Sequence, residues 1–261
     1  MKQALFLAGL LSLLAVSTHA EDGSKPICAD RPGKGAAPCT VDRGHWQVEV
    51  DAADFTHDRS SGSTAETGIL ASTNFKYGVN DRLDLELNVT PFQTQHTQGG
   101  GSVSGIGDTV ARAKIALLQG DTAVSLLPYV KLPTAQHDLG NGAVETGLVV
   151  PIAISLPGQV SLGLSPEVDA IKDDNGSGRH VAYSLAAGLS RPLSPTFTGS
   201  VELWGARNDE PSGHVSQSSF DIGLTWIPAQ MQTLQLDSGL DLGLNHSTPQ
   251  MQFYVGVSRR F

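Results

Sequence analysis

The sequence predicts an all-β fold: a closed antiparallel transmembrane β-barrel of about 12 strands, preceded by a cleaved signal peptide. Three observations predict it. The segment Gln250 to Phe261 has two faces, with Met251, Phe253, Val255, Val257 and Phe261 on one and Gln252, Tyr254, Gly256, Ser258 and Arg260 on the other. A period of 2 suits a strand between an apolar and a polar medium, and closing such a strand onto the first leaves no edge in lipid. Short and long connections alternate along the chain, and nearly all strand charges take the same phase.

From the N-terminus, Lys2 is followed by the apolar stretch Leu5 to Val16 and by Thr18-His19-Ala20, a small-residue cleavage site before Glu21. This is a secretory signal, too short and wrongly flanked for a spanning helix. No cysteine follows the cleavage point, which argues against a lipoprotein, and nothing downstream offers the ~18 unbroken apolar residues of an inner-membrane span. The expected organisation is a signal peptide over 1–20, a periplasmic N-terminal segment over 21–45 and an outer-membrane barrel over 46–261. Residues 21–44 either enter the lumen as a plug or remain a periplasmic arm. The cleaved chain loses only Lys2 of 17 basic residues and keeps 26 acidic ones, an acidic balance that argues against a nucleic-acid partner. Cys28 and Cys39 read as a disulfide in an oxidising compartment, with a two-cysteine metal site as the weaker alternative.

Strands are expected near 46–53, 68–77, 83–92, 107–118, 122–132, 143–156, 159–171, 180–190, 196–206, 217–227, 231–245 and 250–261. The connections 78–82, 119–121, 157–158, 191–195 and 228–230 are short. Those at 57–67, 93–106, 133–142, 172–179 and 207–216 are longer, polar and glycine-rich. Tight periplasmic turns opposite long extracellular loops produce this asymmetry; Greek-key crossovers have no reason to keep it.

With strand phase set by the apolar residues, acids such as Glu49, Asp84, Glu86, Glu202 and Asp237 point inward, as do Lys76, Arg112, Lys114, Lys131 and Arg260. Only Arg259 takes the lipid phase, near the chain end and within reach of headgroups. A basic residue facing mid-bilayer lipid costs roughly 2–4 kcal/mol, so the register should be firmly set. Trp46, Tyr77, Phe197, Trp226 and Phe261 fall at strand ends on the short-turn side, placed for an interfacial girdle. Pro128, Pro151 and Pro166 lie inside expected strands and call for bulges or breaks, because proline cannot donate to the ladder.

The chain resembles the bacterial outer-membrane family named for a MetA pathway of phenol degradation. The stretches that carry the likeness include Asp30-Arg31-Pro32, Gly44-His45-Trp46-Gln47-Val48-Glu49, Tyr77 to Leu83, Gly105 to Asp108 and Pro128 to Thr134. The C-terminal Tyr254 to Phe261 is similar to the signal read by the bacterial barrel-assembly machinery, with Arg259 where that pattern prefers an apolar residue. The resemblance implies a barrel with a transport role and brings no assigned substrate residues.

The expected function is passive passage of small, including hydrophobic or aromatic, molecules across the outer membrane of a Gram-negative bacterium. The partners are outer-membrane lipid, a small-molecule solute and the assembly machinery; no cofactor is expected. Candidate lumen contacts are Glu86, Asp108, Arg112, Lys114, Tyr129, Lys131, Glu167 and Asp241. An acid-rich lumen favours cations or neutral polar solutes, against the plainer reading of structural ion pairs such as Lys131 with Asp108 or Arg112 with Glu86. His57, His96, His137, His180, His214 and His246 fall one to each extracellular loop or its margin, a candidate metal-capturing rim against the plainer reading of solvated loop residues. A structural or adhesive barrel with a closed lumen is the alternative. A lipid-modifying enzyme ranks lower, since there is no Gly-x-Ser-x-Gly elbow and no outward Ser/His pair is expected on neighbouring strands.

Overall fold

The computed structural model of the protein describes residues 27–59, 64–136, 138–176 and 178–261; the expected signal peptide lies outside them. Twelve antiparallel strands form one closed barrel. They are β1 (Trp46–Asp58), β2 (Ala65–Asn80), β3 (Leu83–Val89 and Phe92–Thr97), β4 (Gly101–Gly105 and Thr109–Leu118), β5 (Thr122–Leu132) and β6 (Glu145–Val149 and Ile152–Leu156). The wall continues through β7 (Val160–Lys172), β8 (Arg179–Pro192), β9 (Phe197–Asn208), β10 (Val215–Trp226), β11 (Leu234–Gly243) and β12 (Met251–Arg260). Each strand pairs with its sequence neighbours, and β1 pairs with both β2 and β12, so the sheet has closed on itself. Among the described residues no helix is long and apolar enough to cross a membrane.

The period-2 pattern sorts the two faces as its polarity requires. On β12, Tyr254, Gly256, Ser258 and Arg260 are buried inside, while Phe253 faces out. Leu85 and Leu87 on β3, Leu203 on β9 and Leu224 on β10 are exposed outward, whereas Asp84, Glu86, Lys76 and Asp221 are buried. Trp46 stacks near Tyr77 with centroids 4.9 Å apart, and Phe197 near Trp226 at 6.2 Å, each a cross-strand pair at the short-turn rim.

Two stretches expected as loops are largely strand. β1 and β2 pair up to Asp58↔Ala65, and the segment 93–106 forms a hairpin from Gln93↔Gly105 to Thr97↔Gly101. Their alternation fades because both faces meet water beyond the apolar band, while backbone hydrogen bonding continues regardless of side chain. His57 and His96 therefore sit on strands.

The prolines concentrate irregularity in one part of the wall. β6 breaks between Val149 and Ile152, at Pro151, and β3 breaks around Pro91. The β4–β5 ladder runs through Arg112↔Tyr129 and resumes only at Ile115↔Leu126, skipping Pro128. Pro166 keeps its register with Leu185 on β8; on its other side the Val150 N–H donates to its carbonyl across the break in β6, at 2.9 Å. The missing proline donor thus faces a strand that is already interrupted.

Candidate functional site: the lumen and its insert

Residues 27–45 lie against inward-facing side chains around the circumference of the barrel. The Val41 N–H donates to Asp84 on β3 (2.9 Å), and Lys34 and Gly35 N–H groups donate to the two Glu202 oxygens on β9 (2.8 and 3.3 Å). The Gly33 N–H donates to the Tyr254 hydroxyl on β12 (2.7 Å), and the Ala36 N–H to Ser165 on β7 (3.1 Å). Gly33 has φ +105°, a conformation open to glycine, and a Cβ on Gly35 would come within 2.9 Å of Glu202. Cys28 and Cys39 are joined in a disulfide with Cα atoms 6.1 Å apart, closing the insert into a loop. A segment without secondary structure still has to satisfy its buried backbone, and here the wall's polar side chains supply the partners.

Two charge clusters hold the insert. Lys76 Nζ lies 2.6 Å from Asp30 and 2.5 Å from Glu49, and Lys114 Nζ lies 2.7 Å from Asp30 and 3.3 Å from Glu86. Both lysines are sealed from solvent, at 1% and 0% exposure. Burial works to raise the Asp30 pKa, but Lys114 and Lys76 outweigh it and hold the carboxyl well below the usual range. On the other side Arg31 spans Asp237 (3.0 Å) and Asp51 (3.3 Å), with its guanidinium 5.3 Å from the Tyr254 ring centroid. Lys34 pairs with Asp241, approaches Asp221 at 3.9 Å and lies 5.7 Å from the Trp204 centroid.

Beside the insert a chamber of about 280 Å³ remains, bounded by Lys34 and Ala36 and by wall residues including Val110, Arg112, Leu127, Tyr129, Glu167 and Trp204. Its lining combines aromatic faces, aliphatic surface and charge of both signs. Arg112 Nε is buried there without a partner. The Tyr129 hydroxyl donates to Asp169 (2.6 Å), which fixes the ring.

A family model described as "Putative MetA-pathway of phenol degradation" matches residues 29–261. The chain belongs to this family. Among curated proteins none matches the sequence. Of solved structures, an outer membrane channel from Pseudomonas putida F1 is similar at 17% identity with TM-score 0.66, over 88% of this chain and 99% of that one. The NanC porin is similar at 10% identity and TM-score 0.56, over 81% and 98%. The translocator domain of the autotransporter NalP from Neisseria meningitidis is similar at 14% identity and TM-score 0.56, over 85% and 90%. At such identities the likeness is one of fold, that of outer-membrane barrels. This member of the phenol-degradation family is an outer-membrane β-barrel.

The structure divides the eight lumen candidates of this family member. Lys114 and Asp241 bind the insert, and Glu86 pairs with Lys114 behind it; Arg112, Tyr129, Lys131 and Glu167 line the chamber; and Asp108 lies 3.4 Å from Lys131 while accepting from the Ala135 N–H (2.9 Å). Arg112 stands opposite Glu86 in register, yet the lysines take that carboxylate. Sequence reasoning missed Asp30, Arg31 and Lys34 as lumen groups, because no periodicity tells where a segment outside the strands will lie. The only signal was the presence of Asp30 and Arg31 in a stretch shared with the family.

Among the described residues the candidate histidines are not gathered into one cluster at ligand distance. His137 lies outside the described residues, His214 and His246 are exposed, His57 lies 3.6 Å from Glu66, and His180 is buried against Asp173 and Glu210. His96 Nδ1 is 2.9 Å from Ser102 Oγ in the 93–105 hairpin, beyond the lipid face for which no Ser/His pair was expected.

Proposed function

We propose that the protein is a passive outer-membrane channel for small aromatic or hydrophobic molecules bearing a polar group, with the N-terminal insert narrowing the path. The observation that carries this reading is the chamber between insert and wall, where Tyr129, Trp204, Leu127 and Val110 offer apolar and aromatic surface around the unpartnered Arg112 Nε. Such a lining suits a ring with one polar substituent. Family membership and the likeness to an outer membrane channel support it.

A conduit is favoured over a catalyst. The His96–Ser102 pair is exposed, and no convergent oxyanion donors accompany it among the described contacts. Insertion by the barrel-assembly machinery follows from the aromatic C-terminal strand. The closed, structural barrel draws support from the dense pairing of Asp30, Lys76 and Lys114.

Planar-bilayer conductance and liposome uptake of phenol and benzoate separate these readings. The channel reading expects small conductance and uptake, with conductance rising several-fold when residues 27–44 are deleted. Silence in both assays for the intact and the deleted protein would leave the closed barrel; release of fatty acid from phospholipid would leave the enzyme.

A further inference from the structure

The extracellular end of the barrel holds a second group of buried titratable side chains. Asp173 in the β7–β8 loop, His180 on β8 and Glu210 in the β9–β10 loop are all buried and place one ligand atom each within 4.8 Å of one another. His180 Nδ1 faces both acids, 2.9 Å from Asp173 Oδ1 and 3.1 Å from Glu210 Oε2. Ligand atoms bound to one tetrahedral cation at ~2.0–2.1 Å are about 3.4 Å apart, close to these separations.

The surroundings aim the acids at this point. The Ser212 hydroxyl donates to Glu210 Oε1 (3.3 Å) and the Asp174 N–H to Glu210 Oε2 (3.2 Å). Gly178 leaves room for Asp173, whose Oδ2 would lie 2.2 Å from a Cβ added there. Lys172 borders the same cavity, with its Nζ donating to the Asn141 carbonyl at 3.2 Å.

Opposite the acids, His180 Nε2 is buried, with the buried Asn208 side-chain oxygen beside the ring. A cation on Nδ1 sends the imidazole proton to Nε2, where that acceptor stands. Metal-bound histidines regularly donate their second N–H in this way.

We propose that Asp173, His180 and Glu210 bind one divalent first-row transition cation of the zinc type, water completing its shell. The nitrogen ligand favours zinc over calcium or magnesium, which take oxygen sets. The ion ties the β7–β8 loop to the β9–β10 loop across the top of β8.

The test is calorimetric titration of untagged, detergent-solubilised full-length protein with zinc chloride, alongside calcium and magnesium. One zinc site per barrel is expected, undetectable in His180→Ala and at least tenfold weaker in Glu210→Gln. It should be unchanged in a protein with His57, His96, His214 and His246 all replaced by alanine. Heat-modifiable migration in gels reports that each variant is folded, and Glu210→Gln preserves the side-chain volume should His180→Ala misfold. Cobalt substitution adds a visible absorption band that should vanish in His180→Ala and need at least tenfold more cobalt in Glu210→Gln. Equal zinc binding by the intact protein and Glu210→Gln, absence of zinc binding by the intact protein, or loss only in the four-histidine variant overturns the proposal.

Discussion

The two sides of the barrel wall are built differently. From β7 to β12 every strand is continuous, and the ladders β8–β9 and β9–β10 run without a register shift from Ala182↔Asn208 to Phe197↔Trp226. From β3 to β6 three of four strands are interrupted, at 90–91, 106–108 and 150–151. Above the β4 break, Gly101–Gly105 pairs with β3 alone among the described residues, and the 133–142 loop covers its other side, the Gln136 N–H donating to the Ile106 carbonyl at 3.0 Å. Both sides share the inward-polar, outward-apolar rule. The difference shows that lipid constrains which way side chains face more strictly than it constrains strand continuity, provided that loops and insert satisfy the freed backbone groups.

The largest effect should come from the insert's anchor on the interrupted side. Lys114→Ala leaves Asp30 and Glu86 facing each other with only Lys76 between them, and should destabilise the folded barrel by about 3–5 kcal/mol. Urea unfolding followed by gel migration reads this; a loss below ~1 kcal/mol would mean that water reaches the cluster freely. On the lipid face the two sides should behave alike. Leu203→Arg on β9 and Leu87→Arg on β3, one step inside the girdle, each place a charge at an exposed outward position, costing roughly 1–4 kcal/mol in bilayer-based unfolding. A cost confined to Leu203→Arg would show that the broken side is not bathed in hydrocarbon.

Replacing both Cys28 and Cys39 by serine should loosen the insert by roughly 2–3 kcal/mol while the wall keeps its unfolding midpoint, with more frequent conductance openings as the readout. The smallest effect belongs to Pro151→Ala. The break in β6 is also set by the crossing to Pro166, so the change should cost only about 0.4–1 kcal/mol and leave conductance unaltered. A large gain in stability there would mean that proline alone had kept β6 from forming one ladder.

The wall was largely legible in the sequence, because facing is a local property: alternate residues such as Phe253 and Tyr254 meet different media whatever lies beyond them. Strand length was less legible. His57 and His96 stand where polarity no longer alternates, and a hydrogen-bonded ladder leaves no mark on side-chain pattern there. For the lumen candidates, the division between anchor and chamber depends on Asp30 and Lys34, whose partners Lys114 and Asp241 are remote in sequence and left no local mark. The zinc-type cluster was half visible. His180 was among the candidates, but Asp173 and Glu210 were only two of many loop acids until the strands brought them together.

The socket of the insert also ties the two ends of the barrel wall together. Arg31 is received by Asp51 on β1, Asp237 on β11 and the Tyr254 ring and bare Gly256 on β12, while Asp42 pairs with Arg260 at 3.1 Å. The first part of the described chain is thus clasped by its last strand. Until β12 joins β1, that side of the socket does not exist; once they are joined, the seam through which the segment could enter sideways is gone. The strand that completes the wall therefore also completes the socket that holds the insert.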